Sequence, residues 1–94
     1  MAVFAVHYVY SDATVPQRNE FRPEHRAWLN NLVDEGVVLT SGPYANGSGA
    51  LILVKAEDLE SVEKLFTNDP FAREGLLEDK RFVEWLPTMG AFSA

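Results

Sequence analysis

Apolar residues recur along the N-terminal segment in a pattern typical of a β-strand, which we predict over Val3–Tyr10. Both faces of this strand are rich in apolar side chains, with Phe4, Val6, Tyr8 and Tyr10 on one face and Val3, Ala5, His7 and Val9 on the other. A strand that is apolar on both faces is expected to be covered on both sides.

A helical period follows a polar loop that we expect over Ser11–Asn19. We predict that the helix begins near Arg22, with Pro23 in its first turn, where the missing N–H costs nothing. Gly36 is expected to end it. Side chains at helical spacing mark its buried face: His25, Trp28, Leu29, Leu32 and Val33.

The next segment reads as a β-hairpin. Its first strand is predicted over Val37–Thr40 and is closed by the turn Ser41-Gly42-Pro43. A glycine-rich turn over residues 46–49 leads into the second strand, predicted over Ala50–Val54.

A second amphipathic helix and a last strand complete the chain. Asp58 is a suitable N-cap, and the apolar face carries Leu59, Val62, Leu65 and Phe66. Asp69-Pro70 ends this helix and opens a short helical turn, which Gly75 closes. The last strand is predicted over residues 80–86.

The element order β-α-β-β-α-β predicts an α+β fold of the ferredoxin-like class, with an antiparallel sheet and both helices on one face. The other sheet face is left apolar. An exposed apolar sheet of this size is typical of an interface, so we expect a homodimer that packs through the sheet face.

Composition narrows the possible functions. The 94 residues are expected to form a single domain, 1–94. A formal charge of −6 argues against nucleic-acid binding, and the absence of cysteine excludes disulfides and thiolate chemistry. No apolar run approaches the roughly 20 residues of a membrane span, and the N-terminus lacks the features of a signal peptide, so we expect a cytoplasmic protein.

Several short motifs, in shared order and spacing, resemble the YciI-like family. The most specific are His25 at the start of the first helix and Asp69-Pro70-Phe71. The resemblance also rests on Arg22, Trp28-Leu29, Gly36, Ser41-Gly42-Pro43, Gly49 and Gly75-Leu76.

This resemblance implies a dimeric α+β barrel akin to cofactor-free muconolactone isomerases and small oxygenases. It also implies a His–Asp dyad, here His25 and Asp69. A related enzyme class eliminates chloride from chlorinated hydroxyhydroquinones. The expected function is acid–base chemistry by a small cofactor-independent enzyme, such as isomerisation, elimination or hydrolysis of a small anionic, aromatic or lactone-like molecule.

Each candidate residue also has a structural interpretation. His25 fits a partly buried, hydrogen-bonded residue at a helix end, and Asp69 before Pro70 fits a helix N-cap. Arg18, Arg22 and Arg26 recur every four residues and fit a solvated stripe. Arg22 is nevertheless a candidate anchor for a substrate carboxylate or phenolate, because it lies one turn before His25.

Ser41 and Gly42 are candidates for lining the same cavity with backbone N–H groups, although Gly-Pro also makes ordinary turns. His7 fits a satisfied core or interface histidine. We expect no metal and no cofactor, since two histidines and scattered carboxylates form no ligand set. The alternative function is a non-catalytic dimeric module that binds a small metabolite.

Overall fold

The computed structural model describes residues 1–93, so the last residue of the predicted domain 1–94 lies outside the described part. Within residues 1–93, four strands and three α-helices follow one another, with a 3-10 turn over Asp12–Thr14. In chain order they are β1 (Ala2–Val9), α1 (Val15–Asp34), β2 (Val38–Pro43), β3 (Gly49–Ala56), α2 (Leu59–Phe66), α3 (Pro70–Arg73) and β4 (Asp79–Trp85). No helix within residues 1–93 is both long and apolar enough to cross a membrane.

The four strands form one sheet in the order β2-β3-β1-β4, and every neighbouring pair is antiparallel. β1 is central, with Val6 opposite Ile52 of β3 and Phe82 of β4. This topology confirms the predicted α+β, ferredoxin-like fold. β1 therefore has a hydrogen-bonded partner strand on each side.

Both longer helices pack on the face of the sheet that carries Phe4, Val6 and Tyr8. These three side chains are at most 2% exposed. α1 contributes Leu29 and Leu32 to the same cluster, while α2 contributes Val62 and Phe66. One of the two apolar faces predicted for β1 therefore builds the core.

The predicted start of α1 was wrong. The helix begins at Val15, so most of the predicted loop over residues 11–19 is helical, and Pro23 lies inside the helix. Pro16 takes the first-turn position instead, and Ser11 caps the preceding 3-10 turn by accepting a bond from the Ala13 N–H. Proline is equally suited to either start by its local geometry, so sequence alone favoured the wrong one.

Two details of the predicted α1 surface were also wrong. Val33 was expected to be buried and is 44% exposed, because it lies at the rim of a cavity. Arg18 was expected in a solvated stripe and is only 5% exposed, since its guanidinium carbon stacks 4.2 Å from the ring centroid of Tyr10.

The strand β2 is longer than predicted. Ser41, Gly42 and Pro43 belong to the strand and pair with Ile52, Leu51 and Ala50 of β3. Proline is tolerated because β2 is an edge strand, where one side of the backbone has no partner strand. The tight turn follows this segment instead of coinciding with it.

Gly49 begins β3 where the backbone of β1 comes unusually close. An ideal Cβ at this position would lie 1.8 Å from the carbonyl oxygen of Tyr8. No side chain fits in that space without moving the central strand. The absence of a Cβ is therefore a steric requirement at this position.

The second sheet face points away from the helices. Register places Val3 opposite Trp85 and Ala5 opposite Val83 on this face, and Trp85 and Val83 are 41% and 45% exposed. His7 lies on the same face, with its Nδ1 2.9 Å from the hydroxyl of Tyr44. His7 therefore has a hydrogen-bond partner.

Candidate active site

Asp69 is a fully buried carboxylate that receives three hydrogen bonds. It precedes Pro70 in extended backbone and caps α3, because its Oδ1 accepts the N–H of Phe71 at 3.0 Å. The same Oδ1 lies 2.7 Å from Nδ1 of His25, and Oδ2 accepts the hydroxyl of Tyr8 at 2.5 Å. Capping and side-chain contact therefore coexist, since a carboxylate has acceptor sites for all three donors.

His25 reaches Asp69 from the buried face of α1. Its ring stacks on Phe71, with centroids 3.9 Å apart and planes 2° from parallel. A carboxylate at Nδ1 favours the tautomer with the proton on Nδ1, which leaves Nε2 with a free lone pair in the neutral ring. The hydrogen bond and the stacking together fix the orientation of the imidazole.

Nε2 of His25 is open to the cavity beside it. It has no hydrogen-bond partner within residues 1–93, and no side-chain nitrogen or oxygen in that range is both buried and unpaired. The ring also lines the cavity. Nε2 is therefore the accessible atom of the pair, and it is suited to exchanging a proton with a bound molecule.

Tyr8 is the member of this group that the sequence analysis missed. It stands in the middle of β1, is 1% exposed and donates to Asp69 across 61 residues of sequence. Burial, and then the negative charge of Asp69, raise the pKa of the Tyr8 hydroxyl. The sequence did hold one signal for this role. A tyrosine on the strand face that the helices cover has a buried hydroxyl, and a buried hydroxyl needs a hydrogen-bond partner.

Tyr8 should make the folded state sensitive to alkali. With its pKa raised, the folded chain keeps a proton that the unfolded chain releases near pH 10. This stabilisation is complete below pH 10 and is lost as the pH rises further, by at most ~1.4 kcal/mol per pH unit. In Tyr8→Phe, the free energy of unfolding should fall less steeply above pH 10 in denaturant titrations. Tyr44→Phe is the control, because Tyr44 is exposed. If it reduced the fall in the free energy of unfolding above pH 10 as much as Tyr8→Phe does, burial would not be the cause.

A cavity of about 330 Å³ lies between α1 and the β2–β3 side of the sheet. Such a volume suits a small organic molecule. The α1 wall carries residues at helical spacing, the floor comes from β2 and β3, and the end wall comes from aromatic side chains. The lining comprises Arg22, His25, Arg26, Leu29, Asn30 and Val33, then Ser41, Gly42, Pro43, Ala50 and Ile52, and finally Tyr10 and Phe71.

The predicted binding residues all line this cavity, together with His25. Arg22 is half-buried and donates to the side chain of Asn19, one turn before it. The Tyr44 N–H bonds to the Gly49 carbonyl, and alternation along the pair directs the Gly42 N–H toward Leu51. The N–H of Ser41 consequently points to the free edge of β2, so Ser41 is the better backbone donor of the two.

Only one of the two histidines lies at the cavity. His7 is on the opposite face of the sheet, and the lining does not include it. Within residues 1–93, no three His, Asp or Glu side chains come together in a group that could hold a metal ion. Asp69 has its acceptor sites directed at Tyr8, His25 and Phe71.

Comparison with solved structures identifies a similar fold. The 5-chloro-2-hydroxyhydroquinone dehydrochlorinase of Burkholderia phenoliruptrix, in complex with 2,5-dihydroxybenzoquinone, superposes with a TM-score of 0.77. The two chains are 21% identical, and the match covers 88% of this chain and 92% of the dehydrochlorinase. At that identity the similarity establishes the shared fold.

No curated protein matches the sequence. The family model of the YCII-related domain does match, over residues 2–86. That range runs from β1 through β4 and includes every residue of the Tyr8–Asp69–His25 group. The chain therefore belongs to the YCII-related family, as its motifs predicted.

Proposed function

We propose that this protein is a cofactor-independent enzyme that transfers protons on a small anionic molecule with an aromatic or lactone-like ring. The single observation that carries the proposal is the imidazole of His25, held at Nδ1 by Asp69 and open at Nε2 to a cavity of ligand size. Isomerisation and elimination both need a proton removed from carbon or oxygen, and hydrolysis needs one removed from water.

In the proposed step, Nε2 of His25 takes a proton from the bound molecule. The imidazolium formed lies against the Asp69 carboxylate, which stabilises its positive charge. The proton then returns to a different atom of the molecule in an isomerisation, or leaves with an expelled anion in an elimination. Tyr8 acts as a positioning residue, because its hydroxyl holds the second oxygen of Asp69.

The structural neighbour supports the choice of substrate class. That protein is named for removing hydrogen chloride from a chlorinated hydroxyhydroquinone, and it holds a dihydroxybenzoquinone in its structure. A hydroquinone combines a flat ring with acidic hydroxyl protons. The cavity here offers a matching combination, with apolar walls at Leu29 and Ile52 and a proton acceptor at His25.

Loss of the His25 imidazole should strongly reduce turnover and leave the fold intact. In a screen of hydroquinones and small lactones that includes 5-chloro-2-hydroxyhydroquinone, His25→Ala should lower kcat/KM by about 10²–10⁴-fold. His7→Ala is the matched control, since His7 lies outside the cavity. In ¹⁵N NMR spectra, neutral His25 should carry its proton on Nδ1, and Asp69→Asn should disturb that tautomer. Equal turnover by His25→Ala and the wild type would refute the catalytic role, and binding without turnover would favour the metabolite-binding module.

We further propose that two copies pair through the sheet face that carries His7, Val83 and Trp85. The two exposed apolar side chains of β4 lie beside apolar residues of β1, on a domain too small to cover both faces with helices. Trp85→Glu should convert dimer to monomer in light-scattering measurements at micromolar concentration. Leu59→Glu, at a site on α2 that is 44% exposed, should leave the mass unchanged. A monomeric wild-type protein would disprove the pairing.

A further inference from the structure

We infer that the cavity binds a carboxylate group of its ligand between Arg22 and Arg26, so that the ligand is a small aromatic carboxylic acid. Arg26 thereby becomes a second anchor beside Arg22, and the anionic group of the ligand is specified as a carboxylate. The reaction of this ligand would rest on the proposed function. Its binding rests on the cavity alone.

The charges of the cavity oppose those of the protein. The chain carries a net charge of −6, yet among the described residues no Asp or Glu lines the cavity, and Arg22 and Arg26 are its two guanidinium groups. Neither arginine forms a salt bridge within residues 1–93. Glu24, which lies between them in sequence, has its carboxylate 3.6 Å from Arg73. The two positive charges are therefore available to a bound anion.

A third arginine adds positive charge behind the end wall. Arg18 is 5% exposed and has no carboxylate partner within residues 1–93. Its N–H groups donate to neutral oxygens, namely Thr14 Oγ1 at 3.0 Å and the Ser11 carbonyl at 2.8 Å. Its guanidinium also lies against the ring of Tyr10, which faces the cavity. A buried cation without a counter-ion raises the local potential and favours an anion nearby.

The helical spacing of the wall separates the anion site from the apolar part of the cavity. Arg22, Arg26 and Asn30 stand four residues apart and form one polar row along α1. His25 and Leu29 stand in the neighbouring row, toward the floor formed by Ala50 and Ile52. A flat ring can lie on the apolar row while its carboxylate faces the polar row.

The geometry of guanidinium favours a carboxylate over a phenolate. Each guanidinium presents two parallel N–H donors, which match the two oxygens of a carboxylate, whereas a phenolate offers a single oxygen. Arg22 is one helical turn before His25, and both arginines line the same cavity as His25. The anion is thereby held near the proton acceptor, which suits proton transfer close to the carboxylate.

Isothermal titration calorimetry with benzoate, benzamide and 4-nitrophenolate tests this assignment. The wild type should bind benzoate at least about tenfold more tightly than benzamide, its neutral counterpart, and more tightly than 4-nitrophenolate. Arg26→Gln and Arg22→Gln should each weaken benzoate binding by about tenfold and leave benzamide binding nearly unchanged. Lys64→Gln, which removes one positive charge from α2 outside the cavity, is the matched control and should leave both affinities unchanged.

The binding experiment is independent of catalysis. His25→Ala should keep the preference for benzoate over benzamide even if no substrate is ever turned over, so failure of the catalytic proposal would leave this result standing. Equal affinities for benzoate and benzamide in the wild type would overturn the carboxylate site. So would an Arg26→Gln variant that behaves like Lys64→Gln, or a clear preference for 4-nitrophenolate.

Discussion

Asp69→Ala is expected to destabilise the protein by about 3–5 kcal/mol, far more than the loss of an ordinary helix cap. The substitution leaves three donors without their acceptor: the hydroxyl of Tyr8, Nδ1 of His25 and the N–H of Phe71. All three donor residues are buried, so water cannot replace the hydrogen bonds that are lost. Denaturant unfolding followed by circular dichroism measures the difference.

Two further variants separate the contributions at Asp69. Asp69→Asn keeps one oxygen acceptor and should cost less than Asp69→Ala, although its amide presents N–H groups to a donor. Tyr8→Phe removes only the hydroxyl and should cost about 1–3 kcal/mol. If Asp69 served only as the cap of α3, Asp69→Ala would lose ~1 kcal/mol, and that result would contradict the three-donor arrangement.

Gly49→Ala is expected to destabilise the fold by about 4 kcal/mol or more, enough to leave much of a small domain unfolded. The new Cβ would lie 1.8 Å from the carbonyl oxygen of Tyr8, and the obstacle is backbone at the centre of the sheet. Relief requires β1 and β3 to separate, which also displaces the Tyr8 side chain from Asp69. Thermal unfolding and the ¹⁵N spectrum of His25 should both report the change.

Gly42→Ala is the matched control for this prediction. Gly42 has no positive φ, and a Cβ built on it meets no atom within 4 Å. Both glycines lie in the hairpin strands β2 and β3, so the substitutions differ chiefly in the space available. Similar losses from Gly42→Ala and Gly49→Ala would show that the loss of glycine flexibility, and not the close approach to Tyr8, is responsible.

The architecture was predictable because each main element carries a strong local signal. β1 is marked by a run of β-branched and aromatic residues, and α1 by the helical period from His25 to Leu32. The start of α1 was not predictable in the same way. Residues 15–20 are mostly polar, and Arg18 is buried through a contact with Tyr10 that no local pattern reveals.

The candidate site, like the fold, was predictable only where a local sequence pattern marks it. His25 and Asp69 are 44 residues apart, and their contact depends on how α1 and α3 pack, so spacing alone could not join them. They were paired through family resemblance, and their catalytic role stays a prediction. Tyr8 was overlooked because it reads as one more aromatic residue of a core strand, whereas the structure gives its hydroxyl to Asp69.

The dual engagement of Asp69, as helix cap and as partner of His25, divides the residues at and behind the cavity into two groups that differ in freedom to evolve. Changes at Tyr8, Asp69 or Phe71 disturb the folded core together with the contacts that orient His25, so selection for stability also preserves the proposed proton-transfer group. The edge strand β2 and the exposed rim of α1 line the same cavity with far less packing at stake. New ligand preferences should therefore arise by substitutions at positions such as Arg26 and Ser41, and libraries that vary this rim should yield altered ligand preferences without loss of the fold.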